Sequence, residues 1–220
     1  AMLALTFGTT EEAAEAAAGI NKIHDRVNGR LGEGAGAFAA GSGYSAHDPA
    51  LLAWVHATLV DTFLLTYERF VAPLEPAERD RYCLEAAGVA PLLGIPPDAL
   101  PRSTGELTAY VERMLSSGEI AVTATARSLA SEVLSPGLPW PARPLLEFAR
   151  LTTVGLLPPP IREADGLEWS PVARGIASRL ARSTPQRSRG TRRKPIGVMI
   201  STSSSTPVRT LRRVFACLTI

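Results

Sequence analysis

The sequence predicts an all-α fold, a single domain built as an orthogonal bundle of several helices. Apolar residues recur at three- and four-residue spacing along most of the chain, and helix-capping residues precede several of these segments. No segment before residue 184 shows the apolar and polar alternation of a half-buried strand. With 220 residues, of which 45% are hydrophobic, the chain can form one domain with a sizeable core.

Capping residues and prolines predict where the helices begin. Thr9 or Thr10, ahead of two glutamates, starts a helix over about 10–27. Asp48 is a good N-cap and Pro49 suits the first helical position, so the next helix covers about 49–72. The other predicted helices cover about 77–87, 104–115, 123–134, 143–154 and 170–182. Loops rich in glycine or proline separate them at 29–43, 91–101, 136–144 and 156–161.

The helix over 49–72 is apolar on nearly every face, which is typical of a helix at the centre of a domain. One of its apolar stripes consists of Leu52, His56, Leu59, Phe63, Thr66 and Phe70. We therefore expect His56 to face the core. The glycine-rich segment 29–43 is predicted to be a flexible loop, acting either as a lid or as a simple connector.

The charges divide the chain into two regions. All 21 acidic residues lie at or before Glu168, whereas 11 of the 23 basic residues lie in 169–220. Beyond about Ser183 the chain is rich in Arg, Ser and Thr, a composition that cannot bury enough apolar surface to fold alone. We predict a helical domain over 1–183 and a disordered basic tail over 184–220, which a shifted reading frame or an unrelated extension would produce. Binding of nucleic acid or an anionic surface is the alternative role for this tail, and we expect no nucleic-acid partner.

Cysteine usage and hydropathy favour a cytoplasmic protein. Cys83 and Cys217 are too few to predict a disulfide framework, and Cys83 is expected to be a buried, reduced thiol. No signal peptide is recognisable at the start of the chain. The longest apolar run, 51–65, contains His56 and Asp61, so we interpret it as a core helix and not as a membrane span.

Three histidines, His24, His47 and His56, carry most of the chemistry that the residues offer. The sequence has no HExxH motif, no zinc-spaced Cys/His cluster, no phosphate loop and no GxSxG motif. His24 and His56 lie on apolar helix faces, where an imidazole needs a partner. Haem, which requires an apolar slot and an axial imidazole, is one candidate partner for either, and a hydrogen-bonded core histidine is the alternative. His47 is interpreted as a solvated loop residue, and Asp61 as the partner of a helix end or a basic side chain.

Several ordered blocks carry a family resemblance. They are Phe7-Gly8-Thr9, the segments IHDRVNG (23–29), YSAHDPALLAWVHAT (44–58), YERFVAPL (67–74), DRY (80–82), LLGIP (92–96) and ELTAY (106–110), and the pairs Leu100-Pro101 and Met114-Leu115. Together these blocks, over about residues 5–180, resemble the MpaB-type oxygenase family, which includes the latex-clearing rubber oxygenases.

This resemblance implies an all-helical domain that binds haem b and uses O2 to oxidise or cleave an apolar substrate. His24, in the His-x-x-Val-x-Gly block, matches the proximal iron ligand. His56 then corresponds to a second family histidine near the pocket, which supports the cofactor site. Arg26, Arg30 and Arg69 are candidates for contacts with the haem propionates, with ordinary surface pairing as the alternative.

The resemblance also raises an expectation about catalysis. The family's distal-side residues, an Arg and a Thr four residues apart with an acidic residue further upstream, precede the Phe-Gly-Thr block. Only six residues precede Phe7, so we expect an N-terminally incomplete domain that lacks these groups. Oxygen activation needs distal donors as well as iron. A non-catalytic family member, or a helical binding module with a basic tail, is therefore the alternative to a haem oxygenase.

Overall fold

Helices account for most of the chain that the computed structural model describes, which comprises residues 2–137, 139–167, 169 and 175. The α-helices in this part are Met2–Phe7 (α1), Thr10–His24 (α2), Pro49–Phe70 (α3), Pro76–Ala86 (α4), Thr104–Ser116 (α5), Ala124–Leu134 (α6), Arg143–Leu156 (α7) and Pro159–Ala164 (α8). Two 3₁₀ helices cover Ala87–Leu93 and Trp140–Ala142, and two short strands cover Asn28–Arg30 (β1) and Gly43–Ser45 (β2). The predicted all-α class is confirmed.

The predicted helix starts are confirmed at both strong caps. Thr9 forms a capping box with Glu12, in which the Thr9 hydroxyl accepts from the Glu12 N–H at 3.2 Å and the Glu12 carboxylate accepts from the Thr9 N–H at 2.8 Å. Asp48 accepts from the N–H of Ala50 at 2.8 Å, and Pro49 occupies the first helical position of α3. The sequence therefore fixes the direction in which α2 and α3 leave their preceding turns.

Other boundaries differ from the prediction. Helix α2 ends at His24 and not near residue 27, because the chain turns there and Asn28 enters β1. The predicted connector 156–161 contains the start of α8, and the N-terminal residues form α1. The predicted helix 170–182, apart from Gly175, and the tail 184–220 lie outside the described residues.

The core consists of two clusters that share α3. The first cluster joins the N-terminal half of α3 to the segment after α4 and contains Leu52, Ala53, Ala90, Ile95 and Leu100. The second joins the C-terminal half of α3 to α4 and α5 and contains Ala57, Val60, Leu64, Cys83 and Leu107. Cys83 is 1% exposed and forms no disulfide, which confirms the predicted buried thiol.

The buried face of α3 is not the stripe that the sequence predicts. The buried residues of this helix are Leu52, Ala53, Ala57, Val60 and Leu64. Of these only Leu52 belongs to the predicted stripe, whereas Phe63 of that stripe is 42% exposed. Two alanines on the buried face allow neighbouring elements to approach closely, so the helix turns this side inward. His56 consequently lies at the margin of the core and is only partly buried. By length and composition alone, α3 is the one described helix that could cross a membrane.

A short hairpin connects α2 to α3. Strands β1 and β2 pair antiparallel with Gly29 opposite Tyr44, which corrects the prediction that no strand precedes residue 184. Each strand has only three residues, too few for an alternating pattern to be recognised in the sequence.

Hydrogen bonds hold the loop between the two strands against α6 and the connection that precedes it. The Ala37 N–H donates to the Gly118 carbonyl at 2.8 Å, and Glu33 accepts from the backbone N–H and the hydroxyl of Thr125 at 3.1 and 2.9 Å. These contacts tie the loop to the α5–α6 connection and to the first turn of α6. Of the two predicted roles, lid and connector, the structure favours the connector.

Replacing Gly36 should destabilise the domain because its site excludes a side chain. Gly36 has φ +55°, and a Cβ atom there would overlap the Gly118 carbonyl oxygen. Gly36→Ala should therefore lower the free energy of unfolding by more than the roughly 1–2 kcal/mol of left-handed strain alone. Thermal and urea unfolding of the purified domain measure this change.

Two glycines of the same loop provide matched controls. Gly41 has φ +84°, and the space that a Cβ atom would occupy there has no neighbouring atom within 4 Å, so Gly41→Ala should show the backbone strain without the overlap. Gly32 has neither feature, and Gly32→Ala should be neutral or slightly stabilising. Equal effects of the three substitutions would contradict the fastened-loop geometry.

Candidate functional site

His24, the last residue of α2, has an unpaired ring nitrogen. Its Nδ1 is buried and has no hydrogen-bond partner among the described residues. One turn earlier, the Asn21 side chain donates to the Leu92 carbonyl at 3.1 Å and fixes this end of α2 against the first 3₁₀ helix. The structure therefore holds the His24 backbone firmly and leaves its imidazole without a hydrogen bond from Nδ1.

The His24 imidazole favours its neutral form. Burial lowers the pKa of His24, the nearby His47 lowers it further, and Asp25 opposes both effects. A neutral imidazole is the form that can donate a lone pair to a metal ion. Ile23 and Val27, close to His24 in sequence, are exposed apolar residues.

His47 is exposed in a turn, as the sequence predicts, and its ring also lies against the His24 ring. The two ring centroids are 5.8 Å apart and the ring planes meet at 80°, an edge-to-face arrangement. His47 Nε2 donates to Asp25 Oδ1 at 2.8 Å. Sequence reasoning missed this group, although Asp25 directly follows the end of α2 and His47 directly precedes the N-cap of α3.

His56 uses one ring nitrogen to join two elements. Its Nε2 donates to the carbonyl of Ala86, the last residue of α4, at 2.9 Å. Because a carbonyl only accepts, Nε2 carries the proton and Nδ1 of the neutral ring is the free lone pair. This Nδ1 is buried without a partner within the described chain. Burial lowers the pKa of His56, and the bond to Ala86 partly opposes this shift.

The structure brings His24 and His47 together, but among the described residues His56 makes no hydrogen bond or ring contact with either of them. The helices that carry His24 and His56 instead both contact the 3₁₀ helix Ala87–Leu93. Asn21 of α2 bonds to Leu92, while Leu52 of α3 packs with Ala90. The 3₁₀ helix Ala87–Leu93 is thus a common support for both helices.

The three candidate arginines have different positions. Arg26 and Arg30 lie in or next to the hairpin after His24, and Arg30 donates to the Gly41 carbonyl at 2.9 Å. Arg69 lies in the last turn of α3. At about 1.5 Å per residue, Arg69 is roughly 30 Å along the helix from Pro49, so a contact with a group bound at His24 is not supported.

Asp61 lacks the partner that the sequence predicts for it. This residue of α3 is half-buried and forms no ion pair within the described residues. Burial raises its pKa. Burial also raises the pKa of the neighbouring Cys83 thiol, and the charges of Asp80 and Asp61 add to this effect. The ionised Asp61 carboxylate is therefore expected to lower the stability of the fold at the second core cluster.

No group of three or more His, Cys, Asp or Glu side chains in the described residues could hold a metal ion. Haem iron differs from a bare ion in this respect, since the porphyrin supplies most of the ligands and a single imidazole completes one axial position. The relevant test for haem is whether an imidazole is neutral and unpaired. His24 and His56 both meet this test at Nδ1.

Comparison with known proteins decides the family. Residues 1–185 match the family model described as "ER-bound oxygenase mpaB/B'/Rubber oxygenase, catalytic domain". The chain belongs to this family. No curated protein and no solved structure matches the chain. The match confirms the oxygenase-family resemblance, and the rubber-oxygenase catalytic domain spans all the helices and the hairpin described above.

The pKa of Asp61 predicts a pH-dependent stability difference. Because its folded-state pKa is raised, its contribution is favourable below the unfolded-state pKa and is lost as the pH rises through the folded-state pKa. Asp61→Asn should therefore raise Tm at about pH 7 and leave it nearly unchanged at about pH 4. Calorimetry at the two pH values measures the difference. Asp98→Asn, at an exposed loop position, is the control, and an equal gain in both variants would contradict the effect of burial.

Proposed function

We propose that the domain binds haem b with His24 as the axial ligand and uses O2 to oxidise a small apolar substrate. The observation that carries the proposal is the His24 imidazole, which lies in the family block IHDRVNG and has a buried, unpaired Nδ1. Membership in the oxygenase family supports the reaction class. A cytoplasmic location, with O2 and an apolar molecule as the partners, belongs to the same proposal.

The two histidines have different suitability for iron. His56 Nε2 already donates to the Ala86 carbonyl, and Nδ1 of each ring has no partner among the described residues. The block IHDRVNG, whose histidine matches the family's proximal iron ligand, favours His24 as the ligand. The bond to Ala86 favours His56 as a cofactor-site residue that holds α3 against the end of α4.

In this proposal the cofactor, its histidine ligand and the residues near that ligand have different roles. Haem, when bound, supplies the iron that activates O2. His24 holds the cofactor and keeps a neutral imidazole available. The exposed apolar side chains of Ile23 and Val27, close to His24 in sequence, are candidates for contact with an apolar ring. Arg26 and Arg30, two and six residues after His24, are the nearest candidates in sequence for anionic propionates.

Absorbance spectroscopy of the full chain tests the assignment. The protein is reconstituted with haemin, and the Soret band and haem affinity are measured for the wild type, His24→Ala and His56→Ala. His24→Ala should lower haem affinity by more than about 100-fold, since it removes the ligand itself and not an outer partner. His56→Ala should keep the ligand band but lower Tm, because it removes the bond to Ala86.

Rescue by added imidazole and a comparison of the two variants identify the axial ligand. Added imidazole should restore the band in His24→Ala if the lost group is the axial ligand. The opposite pattern, in which the band survives His24→Ala and disappears in His56→Ala, would assign the ligand to His56. Absence of haem uptake by the wild type would refute haem binding. Haem uptake without O2 consumption on apolar substrates would indicate a haem-binding, non-catalytic member of the family.

A further inference from the structure

A polar group beside His24 has no part in the function proposed above. Asp25 follows the last residue of α2, and His47 precedes the N-cap of α3. His47 Nε2 donates to Asp25 Oδ1 at 2.8 Å, and the His47 ring meets the His24 ring edge-on with 5.8 Å between centroids. We propose that His47, held by Asp25, is a positioning residue that fixes the orientation of the His24 ring toward the cofactor. This inference rests on the proposed role of His24.

The backbone sets the place of His47. Although 22 residues separate it from Asp25, the chain between them closes through the β1–β2 pairing. The N–H of the buried Ala46 donates to the Val27 carbonyl at 2.8 Å, directly before His47. The His47 N–H donates to the hydroxyl of Ser45 at 3.2 Å. The His47 ring is thus placed by paired backbone and not by the long loop.

The orientation of the His24 ring depends on this neighbour because no hydrogen bond holds the ring. A metal-binding histidine usually donates its second ring N–H to a carboxylate or a carbonyl, and this bond sets the plane of the ring. With Nδ1 assigned to the cofactor, the second nitrogen of His24 is Nε2, which makes no hydrogen bond to a described residue. The edge-to-face contact with His47 is an interaction that favours one ring plane over others. Asp25 therefore acts on His24 through His47.

The same pair should matter little for folding. The side chains of His47 and Asp25 are 42% and 66% exposed, and exposed ion pairs add little to stability. The loss of His47 should consequently change the cofactor site more than the fold. This difference separates a positioning role from a structural one.

Haem release from the reconstituted full chain tests the proposal. The variants are His47→Ala, His47→Phe and Asp25→Ala, and Arg81→Ala is the matched control because it removes another exposed pair, Arg81–Glu85, on α4. The rate of haem transfer to excess apomyoglobin, the Soret spectrum and Tm are measured for each. His47→Ala should speed haem release by about tenfold and alter the spectrum, with Tm changed by less than about 4 °C.

The remaining variants separate the effect of the His47 ring contact from the effect of its hydrogen bond to Asp25. His47→Phe keeps a ring edge against His24 and should release haem more slowly than His47→Ala. Asp25→Ala keeps the His47 ring but frees it, and should give an intermediate rate. Arg81→Ala should match the wild type in every measurement. A wild-type release rate and spectrum in His47→Ala would overturn the proposal, and so would loss of haem in His47→Ala with retention in His24→Ala, which would make His47 the ligand.

A measurement on the haem-free protein keeps this inference separate from the proposed function. If the wild type takes up no haem, the proposed function fails, and nuclear magnetic resonance of the His24 ring then decides the positioning claim. The ring proton resonances of His24 should move in His47→Ala and stay in place in Arg81→Ala, because the contact is a ring contact. Unchanged His24 resonances in His47→Ala would overturn the inference.

Discussion

The hydrogen bond from His56 to the Ala86 carbonyl ties α3 to the end of α4 where the two core clusters adjoin. His56 lies on α3 between Ala53 of the first cluster and Ala57 of the second, and Ala86 lies where α4 ends and the first 3₁₀ helix begins. The last carbonyls of a helix lack partners within it, and the imidazole supplies a donor for Ala86. The net contribution of one such bond is about 1 kcal/mol. The 3₁₀ helix begins at this junction, and the end of α2 docks on it through the bond from Asn21 to Leu92.

The candidate site follows from that arrangement. Asn21 docks the end of α2 on Leu92 of the 3₁₀ helix, and His24 comes one turn later, where α2 stops. The hairpin then returns the chain to the same place, so that His47 reaches His24 just before α3 begins. Backbone pairing and one side-chain bond thus place two imidazoles together that are 23 positions apart in the sequence.

The two polar groups on α3 offset the cost of their burial in different ways. A fully apolar helix would pack with less cost, yet α3 carries His56 and the half-buried Asp61. His56 offsets its burial through the bond to Ala86, whereas Asp61 has no ion-pair partner in the described part of the chain. The second core cluster tolerates this carboxyl group because Asp61 is only half-buried and keeps access to water. The physical distinction is between a polar group that has a hydrogen bond and one that relies on solvent.

The sequence by itself determined the helical class, the starts of α2 and α3 and the family, because capping boxes, N1 proline and ordered motif blocks are local patterns. It also identified His24 and His56 as the histidines to consider. Only the tertiary structure decided which face of α3 is buried, since Ala53 and Ala57 become an interface only when another element packs on them. The hairpin, the fastening of its loop to Gly118 and Thr125, and the pairing of His47 with Asp25 join residues far apart in sequence, for which no local pattern exists. For the same reason, the sequence could not show that Nε2 of His56 bonds to the end of α4, or that Nδ1 of both His24 and His56 lacks a partner among the described residues.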